Sequence, residues 1–485
     1  MDCEHLARRS KIVCTIGPAV RAKERLLELA RNGMNVARLN FSHGQHSEFV
    51  QIISDIRAVE KELGKPIGIM SDVQGPKLRV GHLKNKQVEI KTGSEVWITT
   101  EAIEGGVQND GKIVVPTSYK DFVKDVDPGH SVLLDDGLLG LSVLAREGNR
   151  LRCKVVNGGL LKENKGINVP EASFSAPSIT EKDYDDILFS LEQGVDFIAL
   201  SFVRSAQEVR HLKRFIESRG KRTQVLAKIE KRDALTNLDA IIDASDGILV
   251  ARGDLAVEVG NERVPVLQKK IIRKCNVRGK SVIIATQMLM SMVDNPRPTR
   301  AEASDVANAI VDNTDALMLS NETAVGQYPM EAVSMMGRIV EEMEEEPTSQ
   351  AILYNEWELP ESGQLAVALL QSAVRLAAIV KAKRIVVITQ SGQSALLVSK
   401  CRPRNAVVAI TGSMETYRQL SLKWGVDALF MEDMEELISQ TAVFEAIGQR
   451  LLALNLCGSG DKIVITAGLP KLAHGSTNTI KVHQI

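Results

Sequence analysis

The sequence predicts an α/β protein: a closed (β/α)8 TIM barrel carrying an inserted small all-β domain and a C-terminal open α/β domain. Three observations predict it. Short β-branched runs alternate with amphipathic segments from residue 11 to about residue 325, and eight such runs are present, the number that closes a parallel barrel. About 120 residues separate the third run from the fourth, far more than a connecting loop needs. A second strand–helix alternation follows the acidic stretch EEMEEEPT at 341–348.

The barrel strands are expected at KIVCTIG (11–17), VARLNFS (36–42), IGIMSDV (67–73), FIALSFV (197–203), QVLAKIE (224–230), GILVARGD (247–254), SVIIATQ (281–287) and ALMLSNE (316–322). Helical patterns such as RAKERLLELARNG and SAQEVRHLKRFIESRG fill the gaps, and several end in Gly or Asn, the usual helix stops. The stretch 75–175 reads as short alternating strands (KQVEIKTG, EVWITT, GKIVVP, HSVLLDDG, NRLRCKVV) separated by turn residues. Inserted on the face where barrels keep their active sites, it is expected to act as a moving cap. Beyond residue 365, RIVVITQ, AVVAIT, DALFME and DKIVITAG alternate with helices and NTIKVHQI closes the chain as a strand, the pattern of an open α/β sheet. The expected division is a barrel from 1–74 and 176–346, a lid from 75–175 and a C-terminal domain from 347–485.

Composition narrows the function. The chain has 485 residues, enough for roughly three domains, with 44% hydrophobic and 25% charged residues and a formal net charge of -1. That balance argues against a broad nucleic-acid surface, which needs a basic excess. Six cysteines (Cys3, Cys14, Cys153, Cys275, Cys401, Cys457) are scattered with no CxxC pair, so reduced thiols in the cytoplasm are expected rather than disulfides or structural zinc. The N-terminus has no apolar run of signal-peptide length. No stretch approaches the roughly 20 apolar residues of a membrane span.

Polar residues gather at the C-terminal ends of the barrel strands: Arg38, Asn40, Ser42 and His43 on the second, Asp72 on the third, Ser201 and Arg204 on the fourth, Lys228 and Glu230 on the fifth. Asp254 follows on the sixth, Thr286 on the seventh, and Ser320 and Glu322 on the eighth. These ends converge on one face of a barrel. Glu230 and Asp254 on neighbouring strands suit a magnesium ion that keeps waters and binds substrate oxygens. Lys228 and Arg38 beside them suit a phosphoryl group in transfer. Backbone N–H groups of ARGD at 251–254 could hold a carboxylate or phosphate. The set describes a site for a small, multiply charged anion. His43 could be a general base, but a strand-end histidine is more often a structural hydrogen-bonder. Asp135-Asp136-Gly137 could ligate metal, but it also reads as a turn.

With those residues in view, RLNFSHG (38–44), DVQGPKLR (72–79), KGIN (165–168), SFVR (201–204), KIE (228–230), ARGDLAVE (251–258), ATQML (285–289), NPRPTRAEASDVANAI (295–310) and LSNETAVGQYP (319–329) resemble the pyruvate kinase family, in its order and over nearly the whole chain. The resemblance implies magnesium-dependent phosphoryl transfer from phosphoenolpyruvate to ADP, giving pyruvate and ATP, with manganese as a substitute metal. Lys228 would stabilise the phosphoryl group and the enolate. Glu230 and Asp254 would hold the metal, and Arg38 the transferring phosphate. Gly253, Asp254 and Thr286 would bind the substrate carboxylate beside Ser201, with Thr286 near the proton path to the enolate. Asn40, Arg79 and Lys165 would serve the nucleotide.

The family's monovalent-cation site corresponds to Asn40, Ser42, Asp72 and the backbone of Val73. Members with glutamate at the position of Lys77 need potassium; a lysine there brings a fixed positive charge, so turnover without potassium is expected, although Lys77 also reads as a solvated surface residue. Ala256 in GDLAVE and the NVPE at 168–171 are further small departures. The family's sugar-phosphate effector loop matches Thr389, Ser391, Gly392, Gln393 and Ser394; here it fits any phosphate, including a nucleotide effector, or a plain strand-to-helix turn. The family is usually a homotetramer. Two other readings share some of these features: a magnesium-dependent barrel lyase or aldolase acting on phosphoenolpyruvate or pyruvate, and a catalytically silent sugar-phosphate sensor.

Overall fold

The computed structural model of the chain describes residues 8–172, 174, 177–346, 357–358, 361–434, 443–468 and 477–485. Its barrel strands are β1 Lys11–Ile16, β2 Val36–Asn40, β3 Gly68–Asp72, β4 Phe197–Leu200, β5 Gln224–Ile229, β6 Gly247–Ala251, β7 Ser281–Ala285 and β8 Ala316–Leu319. They pair in parallel in sequence order, and β1 closes the ring on β8 through Lys11–Cys14 against Ala316–Leu319. Alternate positions serve two cores. Val13, Val36, Met70, Phe197, Leu226, Leu249 and Ile283 fill the barrel, while Ile12, Cys14, Ile69, Ile198, Ile248 and Ile284 pack under the helices. Strands buried on both faces are apolar over most of their length, which is why these runs stand out in the sequence.

Each observed strand is shorter than its apolar run suggests. Phe202 (φ 54) and Thr286 (φ 71) turn the backbone into the left-handed region just past β4 and β7. The sixth run stops at Ala251, and the ARGD segment opens a helix, Arg252–Val259, instead of prolonging the strand. The β-branched residues end at Val250, so nothing local favours an extended chain beyond it.

The insertion is a seven-stranded sheet with an adjoining strand pair, closed over its own core of Val96, Ile98, Val132, Leu141, Leu151 and Ile167. It contains one long strand that the alternation did not reveal, Leu139–Glu147, because its glycine-containing start reads as part of a turn. Asp183, fully buried, ties the two connections to the barrel together: one carboxylate oxygen accepts the Gly75 N–H (3.0 Å) on the outgoing side and the other accepts the Thr180 N–H (2.8 Å) on the return.

The C-terminal domain is a five-stranded sheet in which Thr479–Gln484 runs antiparallel to Lys462–Ala467 and the other pairings are parallel. It seals the N-terminal end of the barrel. Leu422 is fully buried within the barrel core, and Lys423 donates to Ser281 Oγ (3.1 Å). Behind it, Lys400 and Arg402 converge on Asp315, just before β8; all three are buried. Cys14, Cys153, Cys275, Cys401 and Cys457 are free thiols; Cys3 lies outside the described residues. Among the described residues, no helix is long and apolar enough to cross a membrane.

Candidate active site

The strand-end residues meet above the C-terminal mouth of the barrel. At the centre, Lys228 at the end of β5 donates to Asp72 Oδ1 (3.1 Å) and Ser201 Oγ (2.8 Å) and pairs with Glu230 Oε1 (2.9 Å). Arg38 on β2 reaches Asp72 Oδ2 with Nε (2.7 Å) and Thr15 Oγ1 with Nη1 (2.9 Å). Asp72 is thus held between two cations.

Burial alone would disfavour every charge here. For Asp72, burial raises the pKa, but Lys228 and Arg38 outweigh it and hold the carboxyl below its ordinary value. For Lys228, burial pushes the ammonium pKa down, while Asp72 and Glu230 push it further up, so it stays protonated. Glu230 is the exception. Burial and then nearby Asp254 lift it above the usual range, although Lys228 and the Phe202 N–H, which donates to Glu230 Oε2 (2.8 Å), oppose them.

Hard oxygen donors on adjacent elements, one of them under carboxylate repulsion, fit a divalent cation. Asp254 stands in the first turn of the helix Arg252–Val259. That placement corrects the strand reading and adds first-turn N–H groups, which lack partners within the helix. The Gly253 N–H donates to Thr286 Oγ1 (2.8 Å), and that hydroxyl donates to Ala285 O (2.6 Å). The two groups expected to hold a carboxylate are therefore adjacent and already hydrogen-bonded to each other.

Lys77 is not a solvated surface residue. Its ammonium reaches Asp254 Oδ1 (3.2 Å) and lies 6.0 Å from the centre of the Phe202 ring. Of the residues matching a monovalent-cation site, Asn40 Oδ1 accepts the Ser42 N–H (3.1 Å), Val73 O accepts the Ser201 hydroxyl (2.7 Å), and Asp72 is taken by Arg38 and Lys228. Of the side chains expected on the nucleotide side, Asn40 ends β2, while Arg79 and Lys165 lie at the lid's root. Arg79 donates to Asn164 O (2.9 Å), and Lys165 pairs with Asp135 (2.8 Å). Asp135 and Asp136, both with positive φ, form the turn before Gly137.

Two strand-end side chains, Arg204 and Glu322, hold neighbouring segments in place. Arg204 holds the lid's return at Phe174 O (2.6 Å) and Ser178 Oγ (3.1 Å). Glu322, fully buried, accepts the N–H groups of Leu289 (3.1 Å) and Ser320 (2.7 Å). The His43 side chain is exposed, and its backbone N–H donates to Asn40 O (3.2 Å).

In the effector loop, Gly392 (φ 80) donates its N–H to Thr389 Oγ1 (2.9 Å), Ser391 Oγ accepts the Gln393 N–H (3.5 Å), and Ser394 bonds Thr477 (2.8 Å). Two residues near the centre, Thr15 and Glu258, were not singled out from the sequence. Thr15 is hidden inside an apolar strand. Glu258 ends the ARGDLAVE motif, but its partners are more than 25 residues away.

Comparison with known proteins agrees with this architecture. The family model "Pyruvate kinase, barrel domain" matches residues 7–333, and "Pyruvate kinase, alpha/beta domain" matches 367–483. The chain is 44% identical over 483 residues to a pyruvate kinase of Sporosarcina psychrophila, covering 99% of this chain and 80% of that protein. It is 41% identical over 483 residues to one of Clostridium acetobutylicum, covering 99% and 100%. A crystal structure of a pyruvate kinase from Cryptosporidium parvum superposes with a TM-score of 0.89 at 37% identity, over 99% of this chain and 96% of that one. With both family models matched in order and relatives aligned over nearly its full length, the chain belongs to the pyruvate kinase family.

Proposed function

We propose that this member of the family transfers the phosphoryl group of phosphoenolpyruvate to ADP at the cluster of Lys228, Arg38, Glu230 and Asp254. The observation that carries the reading is Lys228, buried, kept charged and set between Asp72 and Glu230. In the reaction, the bond from phosphorus to the enol oxygen breaks and one to the terminal phosphate oxygen of ADP forms. The enolate left behind takes a proton on its methylene carbon and becomes pyruvate.

Lys228 and Arg38 stabilise the spreading negative charge, and because neither has to reorient, the stabilisation is built in before reaction. The Asp72 bridge fixes both cations. Glu230 and Asp254 would hold magnesium, or manganese in its place, which when bound supplies charge neutralisation at the substrate oxygens. A substrate carboxylate binds by exchanging the Gly253–Thr286 hydrogen bond for its own bonds to those two groups and to the Asp254 N–H. The Thr286 hydroxyl then lies beside the enolate, and Ser201 keeps Lys228 aimed. Asn40, Arg79 and Lys165 are assigned to the phosphates of the nucleotide. Lys77, fixed on Asp254, supplies a permanent cation, so potassium is not required. A homotetramer, and a phosphate-bearing effector on the loop from Thr389 to Ser394, are parts of the same proposal.

The test is pyruvate release from phosphoenolpyruvate and ADP over a magnesium titration, with wild type, Glu230→Gln and Asp254→Asn. Rates at least a hundredfold below wild type, with a raised magnesium requirement, are expected. Variants with wild-type rates and metal dependence would remove these carboxylates from the metal site. A wild type that cleaves phosphoenolpyruvate or pyruvate without ADP would favour a lyase.

A further inference from the structure

The helix Arg252–Val259 begins with the candidate metal ligand and ends against the lid. Its second turn makes two contacts with the inserted domain. Val257 faces Gly137 in the Asp135-Asp136-Gly137 turn, where a Cβ on Gly137 would stand 3.7 Å from the valine side chain. Glu258 accepts from Asn168 Nδ2 (3.0 Å), on the short lid strand Ile167–Asn168. Asn168 and Glu258 are both buried, at 6% and 3% exposure. The same oxygen, Glu258 Oε1, receives the Lys231 ammonium (2.7 Å), and the Glu258 carbonyl receives Arg232 Nη2 (3.2 Å).

Lys231 and Arg232 directly follow Glu230. One carboxylate therefore joins the lid, the segment bearing one candidate metal ligand and the helix bearing the other. Lys231 also lies 5.8 Å from the centre of the Phe174 ring, within cation–π range. That ring stands on the lid's return and packs against Tyr119 and Phe122 of the lid at 5.7 and 6.2 Å between centroids.

We propose that Glu258 is a positioning residue that couples the seating of the lid to the placement of Glu230 and Asp254. It rests on the reading of those two carboxylates as the metal-binding pair. The physical basis is the cost of leaving a buried charge half-paired. While Asn168 is docked, Glu258 and Lys231 are satisfied together and the segment after Glu230 is held. When the lid lifts Asn168 away, the shared oxygen loses a donor and both ligand-bearing segments gain freedom. Lys165, three residues before Asn168, belongs to the same lid segment, so the nucleotide side and the metal side are set together.

The test is steady-state kinetics of wild type, Glu258→Gln, Asn168→Ala, Lys231→Met and the Asn168→Ala/Lys231→Met double variant. Glu258→Gln is expected to lower kcat about tenfold and to raise both the magnesium requirement and the KM for ADP severalfold. The double variant is expected to lose little more than the worse single one, because both act through one carboxylate. Should Glu258→Gln not fold, the Asn168→Ala and Lys231→Met pair carries the test alone. Multiplicative losses in the double variant, or a wild-type magnesium requirement in Glu258→Gln, would overturn the coupling. A wild type without phosphoenolpyruvate and ADP turnover would instead sink the underlying assignment.

Discussion

At the scale of single residues, the site is a problem of buried charge solved by pairing. Lys228 faces two carboxylates, and neither of them is left with Lys228 as its only partner. Removing the lysine therefore has two effects. It takes away the cation proposed for the phosphoryl group, and it leaves Asp72 and Glu230 short of compensation in a buried setting, at a cost of about 3–5 kcal/mol. Lys228→Met is accordingly expected to be less stable in urea titration as well as inactive. Lys77 makes a separate prediction. Wild type is expected to run at the same rate with and without potassium, whereas Lys77→Glu, which sets a second carboxylate against Asp254, should lose at least tenfold and recover with added potassium. Strong activation of wild type by potassium would contradict the role given to Lys77.

At the scale of elements, the barrel was legible because both faces of every strand are buried, leaving continuous apolar runs that end in polar groups. Arg38, Asp72, Lys228, Glu230 and Thr286 could be placed at the mouth from that rule alone. The helix from Arg252 could not: the β-branched residues stop at Val250 and Gly253 breaks the run, which marks the end of a strand but not the start of a helix. Nor could the Lys77–Asp254 pair or the Asn168–Glu258 contact, which span 177 and 90 residues and depend on where the lid settles. Long-range docking of an insertion leaves no local periodicity to read. The lid's root depends on Asp183, which caps its own helix through Thr180 and accepts from Gly75. Asp183→Ala should cost about 1–3 kcal/mol, as one cap and one buried acceptor are lost together. Denaturant unfolding checks it, and an unchanged midpoint would show that the two connections are held by other contacts.

At the scale of the whole molecule, the C-terminal domain closes the barrel floor by burying charge as well as Leu422. Burial would raise the Asp315 pKa, but Lys400 and Arg402 hold it below the ordinary value, while burial lowers Lys400 to about 8 despite Asp315. A carboxyl with a depressed folded pKa contributes stability that is complete above its unfolded value of about 3.9 and is lost as pH falls through the folded value. Acid unfolding should therefore steepen below about pH 4, where Asp315 and Asp72 both take up protons on unfolding. Asp315→Asn should flatten part of that slope and lower stability at neutral pH by about 3–5 kcal/mol, because two buried cations lose their shared partner. An unchanged acid limb would mean that the junction is held by its apolar contacts alone.

The central claim is that Lys228, fixed between Asp72 and Glu230, carries the phosphoryl transfer. The most direct measurement is pyruvate release from phosphoenolpyruvate and ADP with magnesium, comparing wild type with Lys228→Met at a temperature where both are folded. The account predicts robust wild-type turnover and a loss of at least a thousandfold in the variant, about 4 kcal/mol of transition-state stabilisation. A folded Lys228→Met protein that retains more than about a tenth of the wild-type rate would contradict it.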